Sequence, residues 1–171
     1  AIFSLWTESE RNAINIYTVT IDESKRKDEQ WYINTNITYS FDGTNATGSY
    51  GDATARAHAD TLFTAQDETD GKGTEGEVAV EGLKTILIRN IKAQAEGELN
   101  RTDWYITRKS EKNTAIPSAI TTHRDAVRSK QDSMCTAITN ASDTPALETL
   151  YTYTKQEDGS VTRPLGEIPT L

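Results

Sequence analysis

Cysteine occurs once in this 171-residue chain, so no intrachain disulfide can form and nothing marks an oxidising compartment. Cys135 has no Cys-x-x-Cys partner or basic pair beside it to lower its pKa, and it reads as a small apolar residue on a helix face. Long hydrophobic runs are also missing. No stretch approaches the roughly 18 uncharged apolar residues that cross a bilayer, which excludes a spanning helix and leaves no reason to expect a membrane partner. Leu, Ile, Val and Phe together number 31 residues, just under the roughly one-fifth of a chain below which a charged sequence struggles to bury a core. A thin core is expected. Basic charge is in deficit, with 18 Lys and Arg against 26 Asp and Glu for a net charge of −8, and that balance repels a phosphate backbone and argues against nucleic acid.

Phosphate cradles and nucleophile elbows are absent, since no Gly-x-x-x-x-Gly-Lys or Gly-x-Ser-x-Gly occurs. His58 and His123 lack partners at metal-ligand spacing, and His123 falls on an apolar helical stripe where a satisfied, partly buried ring is expected. Glu96 and Glu98, two apart, lie on different sides of a helix and do not form an acid pair. An acidic run invites a calcium reading, but with Gly71 as turn residue the first ligand position falls on Gln66, and with Gly73 the fifth falls on Lys72. No catalytic residue, cofactor or metal site is therefore expected, and an enzyme is the weaker class. The amino terminus, Ala1-Ile2-Phe3-Ser4-Leu5-Trp6, has no basic region and too short an apolar run for a signal peptide, and is read as a cytosolic product that has lost its initiator methionine. The glycan-acceptor triplets at Asn36, Asn45, Asn100 and Asn140 are what chance supplies in a chain with 26 threonines.

What is present divides the chain in two. Residues 1–85 carry the whole charge excess, and residues 86–171 are neutral. Asp67, Glu68, Asp70, Glu75, Glu77 and Glu81 surround only Lys72 among Gly71, Gly73 and Gly76, the composition of a solvated loop or linker. The expected organisation is a β-rich acidic unit at 1–66, an acidic glycine-rich loop at 67–77, a helical hairpin at 78–145 and an extended tail at 146–171. The fold class is α+β.

Within the first unit, β-branched and aromatic residues at 14–21 predict a strand. Trp31, Ile33, Thr35, Ile37, Tyr39 and Phe41 alternate with polar residues and predict a second, antiparallel to the first, with one buried face. Turns are expected at 42–45 and 48–52, and a short helix at 53–62. Leu83, Leu87, Ile91, Ala95 and Leu99 recur every four residues and predict a helix over 78–100. Thr102 to Ile106 reads as a turn into an extended segment. A second helix begins near Pro117, carrying Ile116, Ile120, His123, Val127, Gln131, Met134, Ile138 and Ala141 at heptad-like spacing. The tail is too poor in apolar residues to fold alone and must lie over its own chain or a neighbour, or stay mobile.

Ile88-Arg89-Asn90, Leu99-Asn100-Arg101-Thr102-Asp103-Trp104 and His123-Arg124-Asp125-Ala126-Val127-Arg128 resemble the bacteriophage tail assembly chaperone family, which occurs beside or within tail-fibre genes. In that family a helix leads to a Thr/Ser-Asp-Trp motif, a proline-containing connection follows, and the next helix carries aromatic-Arg-x-Ala-hydrophobic-Arg. The resemblance covers about residues 86–132 and places Asp103, Trp104, Arg124 and Arg128 on recurrent positions, with His123 where the family has an aromatic. It implies a phage protein associated with tails or fibres. The expected function is a non-enzymatic structural component of a bacteriophage virion, in the tail or tail-fibre apparatus, made in the host cytoplasm. Its expected partners are other phage tail or fibre proteins and further copies of itself in a homo-oligomer. A tail or fibre assembly chaperone not retained in the virion is the first alternative, and a head decoration or knob protein the second, with a tail-attached hydrolase behind both. Physically, the four motif positions are expected to lock the hairpin, Trp104 plugging its open end and Asp103 capping or pairing with Arg124 or Arg128.

Overall fold

The computed structural model describes residues 5–171, so the start of the apolar amino-terminal run, Ala1 to Ser4, lies outside the described residues. The fold is α+β, with helices and several small sheets. Two compact units meet in sequence between Arg56 and Ala57, upstream of the acidic run, which belongs to the second unit.

The first unit opens with helix α1 (Glu8–Asn12), fixed by a capping box in which the Thr7 hydroxyl accepts from the Glu10 N–H and the Glu10 carboxylate accepts from the Thr7 N–H at 2.7 Å. The expected strand at 14–21 starts late, because the chain leaves α1 through Asn15 in a left-handed conformation (φ 61°). Strand β1 therefore spans Val19–Asp22. The long alternating run breaks into β2 (Tyr32–Ile33) and β3 (Thr38–Phe41). The two runs do not pair with each other as expected. Both flank β4 (Ala46–Ser49), which is antiparallel to β3 and parallel to β1.

The turn at 42–45 forms as expected and joins β3 to β4: the Asp42 carboxylate accepts from the N–H groups of Thr44 (2.8 Å) and Asn45 (2.7 Å), and Gly43 supplies a φ of +99°. The turn expected at 48–52 is overturned in part, since Gly48 and Ser49 are strand residues. Gly48 is buried in β4 because a Cβ there would lie 2.7 Å from Ile21 Cδ1 and 2.9 Å from Ile37 Cγ2. Glycine is the residue that lets these side chains cross the central strand. Register puts Val19, Ile21, Tyr39, Phe41, Ala46 and Gly48 on one sheet face, and Thr20, Thr38, Ser40, Thr47 and Ser49 on the other, where Ser40 and Thr47 hydroxyls lie 2.8 Å apart. The apolar face is not buried as expected: Tyr39 is 65% and Phe41 51% exposed. Short strand β5 (Thr54–Ala55) pairs with β2, and this pairing replaces the start of the helix expected at 53–62.

The second unit begins with a hairpin of β6 (Thr61–Leu62) and β7 (Val78–Val80), between which lies helix α2 (Ala65–Thr69). The acidic run is thus partly ordered. Thr64 and Asp67 form a reciprocal capping box, with the Thr64 hydroxyl donating to Asp67 Oδ2 at 2.7 Å. Helix α3 (Leu83–Asn100) starts five residues later than the periodicity predicts, because Val78–Val80 pair with β6. Its first turn has no side chain at the Gly82 cap, and Asp60 fills that place by accepting from the Gly82 N–H at 2.6 Å.

After α3 comes α4 (Asp103–Lys112), a helix where an extended segment was expected. Helix α5 (Ser118–Asn140) follows Pro117 as predicted and runs back along α3. Leu83, Leu87, Ile91 and Ala95 of α3 and Ile120, Val127, Met134 and Ile138 of α5 are buried and make the core of this unit. Lys84 of α3 reaches the carboxy-terminal end of α5, its Nζ donating to the carbonyls of Thr139 (2.7 Å) and Ala141 (2.8 Å), which otherwise lack intrahelical partners.

The tail is not simply extended. It contains α6 (Thr144–Tyr151) and a hairpin of β8 (Thr154–Lys155) with β9 (Val161–Thr162). Leu165 and Ile168 are buried, the Leu165 N–H donates to the Leu150 carbonyl, and Arg163 lies over the Tyr151 and Tyr153 rings while pairing with Glu167 at 2.8 Å. Among the described residues no helix is long and apolar enough to cross a membrane.

Candidate functional site

The motif positions surround the corner where α3 gives way to α4. The chain leaves α3 at Asn100, and Thr102, 1% exposed, folds back on the helix end: its N–H and its hydroxyl both donate to the Leu99 carbonyl, at 3.0 and 2.9 Å. Helix α4 then starts at Asp103 in a new direction. From α5, the buried Arg124 places one guanidinium nitrogen, Nη1, 2.8 Å from the Leu99 carbonyl, 2.7 Å from Thr102 Oγ1 and 2.8 Å from Asp103 Oδ1. One cation thereby satisfies a helix-end carbonyl, a buried hydroxyl and a carboxylate, and ties α5 to the α3–α4 corner.

Asp103 and Arg124 meet, as the physical reading of the hairpin expected, but Trp104 and Arg128 do not join them. Arg128 has a half-exposed side chain and lies 3.3 Å from Asp125 on its own helix. Trp104 plugs nothing: it is 51% exposed and stacks instead on Tyr105, with ring centroids 3.8 Å apart, and on Arg108, whose guanidinium lies 4.7 Å from its centroid. The four-residue lock is corrected to Asp103 and Arg124 with Thr102 and the Leu99 carbonyl. The reason is that α4 continues as a helix, and a helical position after Asp103 turns Trp104 away from α5. Thr102 stands within the motif, but the sequence reads it only as the start of a turn and carries no signal of its place in the clamp. The Trp104, Tyr105 and Arg108 stack was missed because an extended reading hides the i, i+4 relation of Trp104 to Arg108.

The histidines take structural positions. His58 Nε2 lies 3.1 Å from the buried Thr144 hydroxyl. His123 Nε2 is buried 3.9 Å from Glu98 Oε2 and has no hydrogen-bond partner among the described residues, so its ring is not satisfied as expected. Cys135 is half-buried, and burial pushes its thiol pKa up. Among the described residues no three His, Cys, Asp or Glu side chains gather as a metal cluster.

Comparison of the chain with protein-family models, with curated proteins and with solved structures finds no match. The class that the architecture defines is α+β.

Proposed function

We propose that the chain is a non-enzymatic structural component of a bacteriophage virion, in the tail or tail-fibre apparatus, bound there to other tail or fibre proteins and to copies of itself. The observation that carries this reading is the meeting of two motif positions, the half-exposed Asp103 and the buried Arg124, in a hydrogen-bonded clamp at the helix corner. In the resemblance those positions lie on either side of the proline-containing connection, and here they tie α5, the helix that follows it, back to the α3–α4 corner. The exposed apolar face of the amino-terminal sheet, with Val19, Tyr39 and Phe41 open to solvent, favours a part whose stability is completed by neighbours.

A second reading, an assembly chaperone that leaves before the particle is finished, draws on the family to which the motif is similar. Quantitative mass spectrometry of purified particles separates the two. Reproducible copies in multiples of three or six are expected for a virion part, whereas presence only in infected-cell lysate would overturn that reading in favour of the chaperone.

A further inference from the structure

Helix α4 buries none of its ten residues. At 100° per residue, Trp104, Tyr105, Arg108, Lys109 and Lys112 fall within an arc of about 140°, and that arc holds no carboxylate. Trp104, Lys109 and Lys112 are exposed, with Tyr105 and Arg108 half-buried in the stack beside them. None of the ion pairs among the described residues involves Arg108, Lys109 or Lys112. This face combines aromatic area with unpaired cations, the composition of an interface core with a charged rim.

Its complement lies at the other end of the same unit. The hairpin of β6, α2 and β7 exposes Leu62, Val78 and Val80 beside Glu68, Glu75 and Glu77, and Lys72 is its one cation, already paired with Asp67 and Asp70. Glu68, Glu75 and Glu77 take part in no ion pair among the described residues. The hairpin precedes the first residue of α3 and α4 follows its last, so α3, 18 residues long, holds the two surfaces at opposite ends of a rod of about 27 Å. Within one copy they are kept apart.

We propose that the cationic aromatic face of α4 docks the acidic, apolar-studded hairpin of a second copy of this chain. The charges are opposite, both surfaces carry exposed apolar side chains, and each is left unpartnered by its own chain. Because the two surfaces differ, the contact is heterologous and repeats head to tail, giving a closed ring or an open filament. It deepens the homo-oligomer part of the proposed function without resting on which particle the chain belongs to.

Sedimentation velocity of the full chain, at rising concentration and in 50 or 500 mM NaCl, tests this. Concentration-dependent oligomers at low salt that dissociate at high salt are expected. The exposed double substitutions K109E/K112E and E75K/E77K should each weaken association by about tenfold or more, with helical circular dichroism unchanged. Mixed in equal amounts, they should associate again, into dimers and longer alternating oligomers, because each contact between the two variants sets an acidic surface against a basic one. A wild-type chain that stays monomeric at low salt overturns the proposal. So do oligomers that ignore both substitutions, or a mixture that yields no dimer. Should a variant fail to fold, the salt dependence of the wild-type chain still decides.

Discussion

Arg124 is the residue on which the helix corner turns. Its Nη1 serves three acceptors at once, so replacing it leaves a buried hydroxyl and a helix-end carbonyl with a lost donor and Asp103 without its cation. Breaking a fully buried ion pair costs about 3–5 kcal/mol, and the half-exposed Asp103 lowers that figure through solvent screening. Arg124→Met is therefore expected to lose about 2–3 kcal/mol in urea denaturation, whereas Arg128→Ala should stay within about 0.5 kcal/mol. Equal losses at the two arginines would restore the four-residue lock and remove the distinction drawn here. Asp67 gives a second residue-scale prediction. Hydrogen bonds from the Thr64 hydroxyl and N–H, and then from Lys72, lower its carboxyl pKa from 3.8 to about 2. A depressed folded-state pKa contributes stability that is fully present above the unfolded value and disappears as pH falls through the folded one. The α2 cap should thus hold at pH 5 and loosen between about pH 4 and 2, and amide NMR of residues 64–69 should follow that titration. In Asp67→Asn the same signals should lose this titration.

At the scale of elements, the most exacting join is between the β6–β7 hairpin and α3. Gly82 has an ordinary φ of −74°, so its need for glycine is not conformational. A Cβ there would overlap the backbone of His58 and Ala59, atoms that cannot rotate away as a side-chain tip could. Gly82→Ala should push the hairpin off the helix start, break the Asp60 cap and lower the thermal midpoint, while Gly97→Ala, facing open space in the same helix, should be neutral or stabilising by up to about 1 kcal/mol. Comparing the two midpoints checks this, and a fall in both would point to helix content rather than close approach. The same helices show what the sequence made legible. The spacing of Leu83, Leu87, Ile91 and Ala95 and the start at Pro117 are local signals, and both helices form there, although α3 begins at Leu83 rather than at 78. Strand partners are not local: nothing at Ala46 to Ser49 announces a central strand, because its qualification is the absent Cβ of Gly48 beneath Ile21 and Ile37. Helix α4 was illegible for a related reason, since with no buried residue it has no apolar stripe to read. At the clamp, Asp103 and Arg124 were legible from the motif, but the identity of the third partner depended on how the chain turns at Thr102.

Across the whole molecule, apolar burial is distributed unevenly between the two units. Among the described residues, Trp31 is the buried large apolar side chain of residues 5–56, and Gly48 the buried backbone position beside the sheet face. Every other buried apolar side chain belongs to residues 57–171. Each buried Leu or Ile contributes about 1.5–3 kcal/mol, so the helical unit has the means to resist opening that the sheet unit lacks. Local opening free energies should differ in the same order. The loop between β1 and β2 offers trypsin the exposed run Lys25, Arg26 and Lys27, with Arg26 held to Glu23 and Glu29 by surface pairs of little strength. Brief trypsin treatment under native conditions is therefore expected to cut first within residues 25–27 and to leave a fragment containing 57–171 that keeps its helical circular dichroism. First cuts inside α3 or α5, identified by mass spectrometry, would reverse the order of stabilities argued here. A ligand or partner of any kind that covered Val19, Tyr39 and Phe41 should slow this cut, because it would supply to the sheet the burial that its own chain does not.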